Sequence, residues 1–332
     1  MKRVLVTGAD GFIGSHLVEQ LVREGSNVRA LVHYNSFAKS GWLDHICPKI
    51  KAEIEIIRAD IRDPFSIDSA VTNCSSIMHL AALIAIPYSY KAPESYVSTN
   101  IVGTLNLLQS GLRHNIEHFV HTSTSEVYGT AKYVPICEKH PLQPQSPYSA
   151  SKIAADSLAQ SFFYSYDLPV TVIRPFNTYG PRQSTRAVIP TVISQIAAGS
   201  EEIKLGATSP TRDFNYIDDT VSGFVASFNN PSVVGEVINI GSNFEISIND
   251  VVLMIADLMG VKIKIISEAS RLRPPKSEVE RLLANNTKAK ELLLWSPVYD
   301  GDTGLRSGLK KTVDWFTEPN NMNLYQLDGY TI

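Results

Sequence analysis

The chain has 332 residues, 44% of them hydrophobic and 19% charged, an ordinary globular composition too long for one core, so a large domain and a smaller one sharing a cleft are expected. Thirty Lys and Arg against 33 Asp and Glu leave a net charge of -3, which excludes a general electrostatic drive toward nucleic acid or an anionic membrane. Three scattered cysteines, Cys47, Cys74 and Cys137, lack the paired spacing of a zinc site, so reduced thiols and no metal are expected.

Short β-branched runs alternate with longer amphipathic segments along the first half, the pattern of βαβ units around a parallel sheet. The expected fold class is α/β, a Rossmann-type doubly wound parallel sheet with a smaller mixed α/β substrate domain at the C-terminal end. The first strand, 3–7, is too short an apolar run for a signal peptide. No stretch approaches the roughly 18 apolar residues of a spanning helix. A cytoplasmic protein that binds no membrane is expected.

That strand runs into TGADGFIGSHL at 7–17. Gly8, Gly11 and Gly14 lie between a strand and a helix, so the backbone can turn tightly and approach a pyrophosphate at the helix N-terminus. The second strand, 28–32, ends in His33, Tyr34, Asn35 and Ser36, where a carboxylate for the ribose 2′-hydroxyl is usual. Its absence weakens rejection of a 2′-phosphate, yet no Arg stands there to hold one, so NAD and NADP both stay open. The third strand, 53–57, leads to Asp60 and Ile61, placed for the adenine, although an Asp there also suits a helix cap. A fourth strand, 76–80, carries HLAA at 79–82.

The fifth strand, 118–122, precedes STSEVYG at 123–129, and YSASK follows at 148–152. Tyr148 and Lys152 are four apart on a helix and share a face. The ammonium favours the phenolate, bringing a phenol of reference pKa about 10 toward neutrality, as suits removal of a proton from an alcohol. Glu126 is an acid that simple alcohol oxidation does not need. The helical segments 94–112 and 148–164 are apolar around much of their circumference, the second through Ile153, Ala154, Ala155, Leu158, Ala159, Phe162 and Phe163. Burial on more than one side follows, and with it a homodimer joined through a helical bundle.

Beyond the sixth strand, 170–174, the alternation loosens and Pro181, Pro190, Pro210, Pro231, Pro274, Pro275 and Pro297 punctuate shorter elements. The expected division is a dinucleotide-binding domain over 1–180, a substrate domain over 181–317 and a polar tail over 318–332. INIGS at 238–242, within a segment near 236–242, reads as a strand returning to the first domain.

Together TGADGFIGSHL, HLAA, the helix of Asn100, STSEVYG, YSASK, RPFNTYGPRQ at 174–183 and RDFNYIDD at 212–219 resemble, over nearly the whole chain, the extended short-chain dehydrogenases/reductases that modify nucleotide sugars. More closely, HYNSFAKSGWLD at 33–44, HLAALIAIPYSYKAPESY at 79–96 and RLRPPKSEVERLLANNTKAKELLLW at 271–295 resemble the sugar-nucleotide 4,6-dehydratases of legionaminic acid biosynthesis. The nearest of these act on GDP- or UDP-N-acetylglucosamine.

The resemblance implies a tightly bound NAD or NADP, regenerated at each turnover. Its binding set would be Gly8, Gly11, Phe12, Ile13, Gly14, His33, Asn35, Asp60, Ile61, Leu80, Ala81, Ala82, Tyr148 and Lys152. It implies that Tyr148 takes the C4 hydroxyl proton, with Thr124 hydrogen-bonded to that hydroxyl and Lys152 holding the ribose. The 4-keto group then acidifies C5, Glu126 removes that proton, water leaves C6 and the hydride returns there. Ser125 stands where dehydratases of thymidine-linked glucose carry an aspartic acid, so Glu126 or another group must protonate the C6 leaving oxygen. Pro87, Tyr88, Asn177, Arg186, Arg212, Arg273 and Glu278 would meet the nucleotide sugar, guanidinium forks suiting its phosphates, and Arg281 suits either phosphate or a surface ion pair.

In the similar GDP-mannose dehydratases the loop matching 33–44 crosses to a neighbouring subunit, which makes a homotetramer the alternative to a dimer. A nucleotide-sugar 4-epimerase, a UDP-glucuronate decarboxylase and a dinucleotide-holding redox sensor are the competing functions. GDP and UDP substrates stay undistinguished.

Overall fold

The computed structural model describes residues 3–325. Its twelve strands are β1 Arg3–Thr7, β2 Asn27–His33, β3 Glu55–Ala59, β4 Ser76–His79, β5 His118–Thr122, β6 Val170–Pro175, β7 Asn177–Tyr179, β8 Glu202–Leu205, β9 Thr211–Tyr216, β10 Val237–Ile240, β11 Glu245–Ser247 and β12 Lys264–Ser267. Seven form one sheet in the order β10-β6-β5-β4-β1-β2-β3. Every pairing in it is parallel. Helices cover both faces, which is why β1 and β6 read as continuous apolar runs and are buried almost throughout. A second sheet, β11-β9-β7, and the pair β12-β8 form the smaller layer on which the later chain is built.

The third strand begins two residues later than the sequence suggests, because the short helix Pro48–Ala52 and its cap at Glu53 use up the first residues. The returning strand is β10, which extends the main sheet by pairing Val237 with Val172 and Ile240 with Pro175. β1 lies between β4 and β2, so the chain direction of the crossovers reverses beside it. The C-terminal ends of β1 and β4 at this reversal are the usual ligand position in such sheets.

The helix Pro147–Tyr166 begins with a capping box, in which Ser146 accepts from the Ser149 backbone and Ser149 from the Ser146 backbone, and has Pro147 in its first turn. Its buried side differs from the apolar expectation. Tyr148, Ser149, Ser151, Lys152 and Asp156 are buried along with Ala155, Ala159 and Phe162, while Tyr164 and Tyr166 are exposed. The helix therefore delivers polar groups into the protein.

After β2, Tyr34 and Phe37 are exposed, but residues 40–44 turn back onto their own chain: the Trp42 N–H donates to the Asp10 carbonyl at 3.0 Å. The Trp42 ring meets Trp315 at 5.7 Å and Tyr325 at 5.5 Å, and the Tyr325 hydroxyl donates to the Gln183 carbonyl. Within the 318–332 tail, Pro319–Met322 is helical, and 326–332 lie outside the described residues. No helix among the described residues is long and apolar enough to cross a membrane.

Candidate active site

Gly8 closes β1 with φ +66°, and a Cβ there would lie 2.8 Å from the Ala81 nitrogen. A Cβ on Gly14 would lie 2.1 Å from the Gly8 carbonyl. The turn thus packs directly on the backbone of Leu80 and Ala81, whose N–H groups donate to the Thr7 hydroxyl. The helix Phe12–Arg23 that follows has no side-chain cap at Gly11 and no acid in its first turn. Its free N–H groups and positive end form a cradle that only glycine leaves open, and this fits the pyrophosphate of a dinucleotide.

Around the far end of that cradle the polar groups have local partners. His33 is exposed at the end of β2, 3.9 Å from Asp60. Asp60 accepts a fork from Arg62, with Nε 2.9 Å from Oδ1. The Asn35 amide closes its own turn, donating to the carbonyls of His33 and Lys39. Arg58 reaches the same loop from β3, donating to the Ala38 carbonyl and the Ser40 hydroxyl. Ile61 packs where a side chain at Gly103 would stand.

Thr124, two residues beyond β5, caps the 3-10 turn Ser125–Tyr128, its hydroxyl accepting from the Glu126 N–H at 3.2 Å. Ser125 and Glu126 are both buried. Burial pushes Tyr148 above the ordinary phenol range, against a lowering hydrogen bond from Thr124, with Glu126 adding to the rise. The sequence expectation of a lowered phenol is therefore not met. Desolvation is the largest influence on Tyr148, and the Lys152 ammonium donates to the Thr122 carbonyl at 2.6 Å. Lys152 itself is lowered by burial to about 8, against a raising charge on Asp156.

A charged cluster stands beside Glu126. Arg273 lies 3.9 Å from the Glu126 carboxylate and 3.7 Å from that of Glu278, with Nη1 buried and making no hydrogen bond. Arg212 lies 3.2 Å from the same oxygen of Glu278, and its burial lowers the guanidinium against the raising charge of Glu126. Asn177 begins β7 with its Oδ1 buried and unpartnered. Pro87 and Tyr88 open the helix Ile86–Lys91, and Tyr96 lies between Tyr88, tilted at 6.1 Å, and Tyr148, edge-on at 6.2 Å. Arg186 is exposed but close enough for its charge to act on Tyr96. Arg281 is apart from this cluster, forked on Glu245.

Tyr96 and the support beneath Lys152 are functional candidates that local spacing does not reveal. The support consists of Asp156, Arg174, His121 and Ser123. A further clamp is Asn100, in the π-helical turn Val97–Val102, whose amide bonds both the N–H and the carbonyl of Leu83 and also Ser151.

The GDP-mannose 4,6 dehydratase family model matches residues 5–308. A dTDP-glucose 4,6-dehydratase of Streptomyces antibioticus is 32% identical over 95% of this chain and 92% of its own. A UDP-glucose 4-epimerase of Mycolicibacterium smegmatis is 32% identical over 95% of this chain and 98% of its own. The solved structure of a UDP-glucuronic acid 4-epimerase from Bacillus cereus, in complex with UDP-glucuronic acid and NAD, has a TM-score of 0.86 at 30% identity. It covers 97% of this chain and 100% of that one.

Proposed function

This chain belongs to the GDP-mannose 4,6-dehydratase family of extended short-chain dehydrogenases/reductases, NAD(P)-linked enzymes of nucleotide sugars, and from that premise we propose that it is a 4,6-dehydratase. Its substrate is GDP- or UDP-N-acetylglucosamine, as in the legionaminic acid enzymes that its loops resemble. The observation that carries this reading is Glu126, a buried acid next to Thr124 and held against Arg273.

The Gly8 to Gly14 cradle and Lys152 would hold NAD(P), which supplies reversible hydride acceptance. Tyr148 accepts the proton of the C4 hydroxyl, with Thr124 aligning that hydroxyl. Phenolate is favoured only while Lys152 keeps its charge, since burial alone holds Tyr148 protonated. Glu126 takes the C5 proton once C4 is a ketone. Ser125 is too weak an acid to protonate the leaving oxygen at C6, so Glu126 delivers the same proton there; the hydrogen taken from C4 ends on C6 and a proton returns to C5, so that the net change is the loss of one water. Arg212 and Arg273 hold the diphosphate, and the free Asn177 oxygen is left to accept from the substrate.

Mass spectrometry of reactions with each candidate nucleotide sugar tests this. Loss of one water from GDP- or UDP-N-acetylglucosamine is expected. An unchanged mass with inversion at C4 indicates the epimerase, and loss of carbon dioxide from UDP-glucuronate the decarboxylase. Absence of a dehydrated product with both N-acetylglucosamine nucleotides overturns the reading.

A further inference from the structure

Tyr148, Lys152 and Asp156 succeed one another at four-residue intervals, so the third member lies one helical turn behind the reactive pair on the same face. Asp156 is fully buried. Its Oδ2 accepts from the Ser123 hydroxyl at 2.7 Å and from Arg174 Nε and Nη2 at 3.2 and 3.0 Å. Oδ1 lies 3.2 Å from His121 Nε2 and makes no hydrogen bond. The charged and titratable groups around Lys152 and Asp156 are Tyr148 from the same helix, His121 from β5, His79 from β4 and Arg174 from β6. Burial lowers both histidines, His79 being tied to the hydroxyls of Thr7 and Thr104, so they add no charge at neutral pH. Two buried cations, Lys152 and Arg174, thus face one buried anion.

We propose that Asp156 is a positioning residue for the reaction: its buried carboxylate keeps the Lys152 ammonium charged and held on the Thr122 carbonyl beside Tyr148. Ser123 and Arg174 fix the carboxylate, and Ser123 directly precedes Thr124, Ser125 and Glu126, so one oxygen ties both halves of the site to the same anchor. Removing the anion leaves two cations in a dry interior, where the uncompensated charge is relieved by losing the proton that can leave. Lys152 is that group, because a guanidinium does not deprotonate.

The test is the 13C NMR titration of the Lys152 ε-carbon in the full-length protein, with the resonance assigned by its loss in Lys152→Arg. In the parent protein the midpoint is expected at about 8, brought down by burial. Asp156→Asn is expected to move this down by about one unit or more, a roughly tenfold or greater fall in the ammonium-to-amine ratio at the parent midpoint. Asp156→Glu is expected to restore it. An unchanged midpoint in a folded Asp156→Asn protein overturns the proposal and leaves Asp156 as a partner of Arg174 alone. If the single variant does not fold, Asp156→Asn/Arg174→Gln is compared with Arg174→Gln, so that the same fall in the midpoint is read with the second cation absent from both.

The functional consequence rests on the role given to Lys152 above. With a nucleotide sugar that is turned over, the alkaline limb of kcat should move down with the titration while KM changes less. The titration itself needs no sugar. Failure of the dehydratase reading therefore leaves the Asp156 result standing, and failure at Asp156 leaves the dehydratase reading standing.

Discussion

Glu126 is buried against Arg273, and its replacement by Gln keeps the shape while removing the base. Glu126→Gln should still oxidise C4, read as near-ultraviolet absorbance of reduced cofactor, while forming no dehydrated sugar. Loss of both signals in a folded variant would instead make Glu126 a residue that places the sugar. In the parent enzyme turnover should fall as pH rises through about 8. Burial sets the folded-state pKa of Lys152 below the free-lysine value of 10.5, so the ammonium is present below that midpoint and lost above it. A pH-independent rate from 7 to roughly 9.5 would contradict this. Gly8→Ala combines a left-handed backbone, costing about 1–2 kcal/mol, with a Cβ driven onto Ala81, and should weaken NAD(P) binding at least tenfold in a fluorescence titration. Gly8, Tyr148 and Lys152 were legible in the sequence because their meaning lies in spacings of a few residues. The raised phenol of Tyr148 was not, since burial is a property of the assembled site, and neither was the union of Ser123, Asp156 and Arg174, which are brought together from the end of β5, a helix and β6.

The helix Pro147–Tyr166 carries the pair, and its first turn depends on Ser146. Ser146→Ala removes the capping box and should cost about 1 kcal/mol, seen as a lower Tm and, because Tyr148 is in that turn, as a lower kcat. The π-helical turn has a comparable task. Asn100→Ala would leave the Leu83 N–H and carbonyl without their amide partner, a loss of about 1–3 kcal/mol measurable by urea unfolding. The strands of the main sheet were readable as elements because their apolar runs are short and bounded, and their ends slipped by one or two residues, most where the helix Pro48–Ala52 takes the first residues of the third. The burial of Ser149, Ser151 and Asp156 in Pro147–Tyr166 ran against the apolar surface expected of it through Ile153, Ala154, Leu158 and Phe163, which are only half-buried.

The two layers are joined through buried polar groups as well as chain. Asp213 in β9 accepts from the backbone of Ser242, Asn243 and Ala284 and from the Ser242 hydroxyl. Asp213→Asn turns a donor toward these donors and should lower stability by about 1–3 kcal/mol, loosening Arg212 beside it and raising KM for the nucleotide sugar more than it lowers kcat. The oligomeric arrangement belongs to this scale too. With Val102, Tyr164 and Tyr166 exposed on the helices expected to pair, a dimeric mass in sedimentation is the expected outcome.

The position of β10 has a consequence for dissection of the molecule. Because β6 receives its outer neighbour from residues 237–240, a fragment cut at 180 ends with the fully buried strand Val170–Pro175 as an open edge. Its unpaired N–H and carbonyl groups would template contact with other copies. Expression of residues 1–180 should yield aggregates, while the uncut chain stays dispersed, so the cofactor-binding half cannot be harvested by truncation at the point where its own alternation of strands and helices ends.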